Sequence, residues 1–219
     1  MSPGAIDSTE RVVLHLVSGL EAVRRLPSPG SRAVRWLAMF ALTGVAFVMV
    51  VTGTDTFLAT TRDGRALAEW IAMLATGVIG VHAAFHTSIP GYRQVWAWAA
   101  WIPALAWLLL ASLGCFHRAD AIRWTDGSDM WHYLECFGWV VGCGVPLSMA
   151  LFGSLRTAAP LWPATTAVQA CLGAAGLTAA LMGFFHPTDP TFIDLASHFA
   201  ALALVVGCGA IRARAALLP

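Results

Sequence analysis

Long apolar runs alternate with short polar breaks along the chain. Six runs, at roughly 36–53, 67–88, 95–115, 132–153, 162–185 and 192–211, are long enough to cross a bilayer, which takes about 20 residues of helix. Because the breaks are short, the pattern predicts an all-α integral membrane protein. Its domain is a single six-transmembrane helix bundle over 36–211, followed by a short tail at 212–219. Spans 1–3 and 4–6 share no motif, so no internal repeat is expected.

Residues 1–35 follow a different pattern. Asp7 and Glu10 have the spacing of a helix-opening capping box. Val12, Val13, Leu16, Leu20 and Val23 then recur on one helical face. Arg24 and Arg25 suit the negative end of the helix dipole, and Pro27 and Pro29 interrupt the helix before the first span. Such an amphipathic helix either lies on the lipid surface or offers its face to a partner groove. The first thirty residues lack an early apolar core, so no cleavable signal peptide is expected.

Composition supports the membrane assignment. The 219 residues are 58% hydrophobic and 11% charged, with a mean hydropathy of +0.70, against roughly 25% charged in soluble domains. A formal net charge of +1 argues against nucleic acid as a partner. The chain has no Lys, and its arginines fall unevenly. Arg11, Arg24, Arg25, Arg32, Arg35, Arg93, Arg156, Arg212 and Arg214 belong to one side of the bilayer, and Arg62, Arg65, Arg118 and Arg123 to the other. The excess predicts that both termini are cytoplasmic. Trp36, Trp70, Trp96, Trp98, Trp131 and Trp162 stand near span ends, while Trp101, Trp107 and Trp139 lie deeper as packing residues. Gly142, Gly144, Gly173, Gly176, Gly207 and Gly209 suit close helix contacts.

With this topology a cluster of chemically capable residues converges on the external rim. It comprises Cys115, His117, His132, Glu135 and Cys136 from one loop and its flanks, and His186, Asp189, Asp194 and His198 from another, with Glu69 at the start of span 2. His132 and Cys136 share a helix face, as do Asp194 and His198. Cys143 lies about 10 Å deeper than Cys136, too far for a disulfide between them. Thiolate and imidazole suit a divalent ion such as Zn, although the spacing matches no finger or zincin motif. The same residues are also what wet loop edges ordinarily collect. His82 and His86, an i, i+4 pair near the other end of span 2, are read as structural or interfacial, and Cys171 and Cys208 as packing residues. Nothing resembles a nucleophile elbow, a P-loop or a dinucleotide loop, so no enzyme activity is expected.

The runs "LVSGLEAVRRLPSPGSRAVRWLA", "IPGYR" and "RTAAPLWP", with the ending "FFHPTDPTFIDLASH", resemble the NrsF-type family of six-span bacterial inner-membrane anti-sigma factors. The resemblance implies a cytoplasmic N-terminal segment that holds an extracytoplasmic-function sigma factor. Here that segment would grip through Val12, Val13, Leu16, Leu20, Val23, Arg24 and Arg25. It also implies an external stress sensor built on two cysteines. Cys136 matches the first, but the turn expected to carry the second reads His186-Pro187-Thr188-Asp189. The sensor would then be a mixed Cys/His/Asp site, or Cys136 would pair elsewhere, with Cys115 nearest by topology. Two other functions are compatible with the residues: a quinone-coupled thiol oxidoreductase, and a small transporter or haem-binding membrane protein.

Overall fold

Backbone-to-backbone contact at glycines sets the centre of the molecule. The computed structural model describes residues 3–19, 25–52, 54–117, 130–185 and 192–217. Within them lie α1 (Pro3–Ser18), α2 (Pro29–Phe47), α3 (Asp55–Thr60), α4 (Gly64–Thr87), α5 (Val95–Trp98), α6 (Trp101–His117), α7 (Met130–Leu155), α8 (Pro163–Met182) and α9 (Phe192–Leu217), and no strand. Six segments are long and apolar enough to cross a membrane: Pro29–Val50, Gly64–Thr87, Val95–Gly114, Cys136–Ala158, Pro163–Met182 and Leu195–Leu217. The all-α, six-span expectation therefore holds.

The helix ends differ from those predicted, for local reasons. The first span opens at Pro29, not near 36. The Ser28 hydroxyl accepts from the Ser31 amide at 3.3 Å, and Pro29 fills the first helical position, where its missing N–H costs nothing. The last helix continues through Leu217, past the predicted stop at 211. α1 begins at Pro3 and ends at Ser18, before the arginines expected to terminate it; Gly19, a poor helix former, follows as a turn. Residues 20–24, which include Leu20, Val23 and Arg24, lie outside the described residues, and Arg25 stands in non-helical chain.

α4 and α8 run antiparallel at the core. Gly77 and Gly80 on α4 meet Gly176 and Gly173 on α8. A Cβ on Gly80 would come 2.6 Å from Gly173 Cα, and one on Gly176 would come 2.6 Å from the Gly77 nitrogen. Real side chains cannot occupy that space, so the two backbones touch. In lipid, where apolar association gains little from water, such close approach is what holds helices together. The small residues of α8 let neighbours close around it: 83% of its spanning window is buried, against 17% for α2. α6 and α2 pack on α4, and α7 and α9 pack on α8.

Two glycines expected at helix contacts are not there, since a Cβ on Gly142 or Gly207 would meet nothing within 4 Å. Gly144 has only ordinary neighbours, the nearest at 3.6 Å, whereas Gly209 abuts Cys171. Cys208 is exposed, not packed.

Replacing Gly80 with Ala should lower stability by about 1–3 kcal/mol through overpacking. Gly207→Ala should leave stability unchanged or raise it by up to about 1 kcal/mol through helix propensity. Thermal unfolding of the purified protein in detergent checks both.

Candidate functional site

The helices alternate in direction, so α2, α4, α6, α7, α8 and α9 present two ends with different chemistry. At one end Arg32, in the first turn of α2, reaches across to the end of α7. Its guanidinium donates to the Ser154 carbonyl at 2.5 Å and to Thr157 Oγ1 at 2.9 Å. The same group lies 4.9 Å from the Phe85 ring centroid, within cation–π range. A planar fork that is always charged suits this three-way contact in a way an ammonium does not.

Behind Arg32, His86 lies face to face with Trp96, centroids 4.2 Å apart and rings 6° from parallel. His82 extends the stack, 6.0 Å from His86, and its Cε1 is 4.0 Å from where a Cβ of Gly30 would be. The pair is packed against aromatic surface and against the start of α2. Gln169 Nε2 donates to the Ala97 carbonyl at 2.7 Å, fastening α5 to α8. Two turns close this end: Gly91 sits at φ 73°, natural for glycine, and Ala159 at φ 43°, a strained position just before Pro160. The segments "SPGSR", "IPGYR" and "RTAAPLWP" are thus brought to one end of the bundle.

At the opposite end the rim residues divide. Cys136 is buried, 1% exposed, on α7. His198 is half-buried on α9, its ring edge-to-face with Trp107 at 6.1 Å. Glu69 is buried and accepts from Arg65 on its own helix at 3.2 Å. His186 and Asp189 lie outside the described residues, as do the side chains of Cys115, His117, His132, Glu135 and Asp194. Among the described residues, no three His, Cys, Asp or Glu side chains gather as metal ligands.

Beneath the rim are two aromatic groups that only the fold reveals. Trp139, one turn after Cys136, packs against Phe185 at 4.6 Å and Phe47 at 5.7 Å. Phe57, Trp70 and Phe184 form the second, with Phe57 and Phe184 stacked at 4.5 Å. Trp70 Nε1 donates to the Ala180 carbonyl at 2.8 Å, and Trp139 Nε1 to the Thr178 carbonyl at 3.3 Å. Half-buried indoles that satisfy their N–H in this way fix helix positions.

Away from the bundle, α1 presents Val12, Val13, Leu14, Leu16 and Val17, each more than half exposed. It has no extensive contact with another described element.

With both ends in place, comparison with known families is decisive. The family model described as NrsF, negative regulator of sigma F, matches residues 16–218. The chain belongs to the NrsF family. The match spans the whole bundle and begins in the last turn of α1, so the chain is a multi-pass negative regulator of a sigma factor. No curated protein and no solved structure matches it significantly.

Arg32→Lys should cost about 1.5–3 kcal/mol, the range for a lost hydrogen bond to a charged donor. Arg35→Lys should be nearly neutral, because Arg35 bonds only back to Ser31 on its own helix at 3.4 Å. Thermal unfolding of the two variants in detergent gives the comparison.

Proposed function

We propose that this NrsF-family protein is an anti-sigma factor of a bacterial inner membrane, with both termini in the cytoplasm. It holds an extracytoplasmic-function sigma factor through its N-terminal segment. The observation that carries this reading is the exposed apolar surface of α1. Val12, Val13 and Leu16 lie more than half exposed in a protein whose family regulates a sigma factor by opposing it. An apolar helical face of this kind is what a partner groove takes up. Leu20, Val23, Arg24 and Arg25 continue the gripping segment. The excess of arginine at the end carrying Arg32, Arg93 and Arg156 supports a cytoplasmic placement for it.

The rim around Cys136 and His198 senses a redox or metal stress, with Cys115, His117, His132, His186 and Asp189 as further members. α2 transmits the signal. At the rim end Phe47 rests on Trp139, one turn from Cys136, and on Phe185. At the far end Arg32 bonds to the end of α7, directly after the gripping segment. α2 is also the least buried span, and an apolar cleft of about 520 Å³ lies between it and α4 and α8. A loosely held helix fixed at both ends is a natural two-position element, and a difference of a few kcal/mol between its positions would shift most of the population.

Leu16→Glu should weaken sigma-factor binding by tenfold or more, measured by titrating the sigma factor against purified protein in detergent. In cells the same variant should leave the regulon on without stress. Phe47→Ala should bind the sigma factor as the parent does and fail to release it under stress, measured with a reporter of the regulon. A Cys136→Ser, His198→Ala double variant that induced normally would remove the rim from the mechanism.

A further inference from the structure

A second feature lies near the end of the bundle that carries Arg32 and Arg156. Between α7 and α9 lies a cavity of about 490 Å³ that reaches α8 at Cys171. Ser148, Phe152, Cys171 and Val205 form the floor and are buried. Gly209 lets α9 close onto α8 beside the cavity, since a Cβ there would run into Cys171 Sγ. Val145, Met149 and Cys208 flank the opening and are exposed on the side where the six-span topology places lipid. Arg212 lines the same cavity one turn beyond Cys208 and is itself exposed. Among the described residues the ion pairs belong to Arg65, and none engages Arg212.

Along α9 the lining runs from Val205 to Ala216, about 16 Å at 1.5 Å per residue. That is about half of a hydrocarbon core roughly 30 Å thick, the depth of one leaflet. A wholly apolar occupant would leave the guanidinium unused, and a soluble anion would leave the apolar trough unused. An amphipathic molecule with an anionic head uses both. A phosphodiester fits the guanidinium fork bidentately, and basic pockets between transmembrane helices are a recurring form of head-group site.

We propose that this cavity binds an anionic phospholipid, its phosphate paired with Arg212 and one acyl chain laid over Ser148, Cys171 and Val205. So placed, the lipid touches α7, α8 and α9 together and links the peripheral helices to the core helix.

The test uses the full chain, delipidated in detergent, with binding of phosphatidylglycerol and phosphatidylcholine followed by native mass spectrometry and no sigma factor present. The parent should retain phosphatidylglycerol in preference to phosphatidylcholine. Arg212→Gln should lower phosphatidylglycerol affinity about tenfold, the equivalent of one charge-assisted hydrogen bond, while Arg214→Gln should not. Cys208→Trp, which fills the trough and keeps the charge, should lower affinity for phosphatidylglycerol as well. Equal retention of the two lipids by the parent, or parent-like phosphatidylglycerol binding by both Arg212→Gln and Cys208→Trp, overturns the proposal. So does full competition by inorganic phosphate alone, which would mark a site for a free anion.

Discussion

The bundle depends on one contact, the meeting of the α4 and α8 backbones at Gly77, Gly80, Gly173 and Gly176. A Cβ at any of the four would come within 2.6–2.7 Å of the other helix. A bilayer supplies no water to drive apolar helices together, so tight backbone contact carries what a soluble core obtains from hydrophobic burial. α8 can be enclosed on nearly every side because it is built from Ala, Gly and Thr. Two of its buried polar side chains bond to backbone carbonyls: the Thr178 hydroxyl donates to Ala174 on α8 itself at 2.8 Å, and Gln169 Nε2 donates to Ala97 on α5 at 2.7 Å. The other spans lean on this pair to differing extents, and α2 leans least.

That gradient of packing separates a tightly enclosed core from loosely covered outer spans. The antiparallel core keeps the two ends at a fixed separation. α2 reaches from the aromatic group at Phe47 to the Arg32 contact, and its span is the one with the smallest buried share. A regulator that carries information across a bilayer needs a rigid frame and one element with two positions. No residue of α2 lines the trough between α7 and α9.

The six spans were legible because hydropathy over twenty residues is a strong one-dimensional signal. The helix ends were less so, although Ser28-Pro29 carries a start signal at the first span. Pairwise packing was not legible. Spacing alone shows that a glycine is small but not which way it faces: Gly142 and Gly207 face open space, while Gly77 and Gly80, no different in sequence, lie at the closest contact. Cys208 was misplaced for the same reason. The Arg32 contact joins residues more than a hundred positions apart, and only the fold brings "SPGSR" to "RTAAPLWP". Cys136 and Glu69 proved buried and His198 half-buried at the rim end, and the remaining rim candidates lie in or beside the segments that the structure does not describe.

The most direct test of the central claim asks where the sigma factor resides. The sigma factor is co-expressed with the intact protein or with a version lacking residues 1–26, and the cells are fractionated. The account predicts that the sigma factor sediments with membranes containing the intact protein and returns to the soluble fraction with the shortened one, at equal amounts of membrane-inserted bundle. Equal membrane retention by both forms would contradict it and move the grip from the N-terminal segment to the bundle.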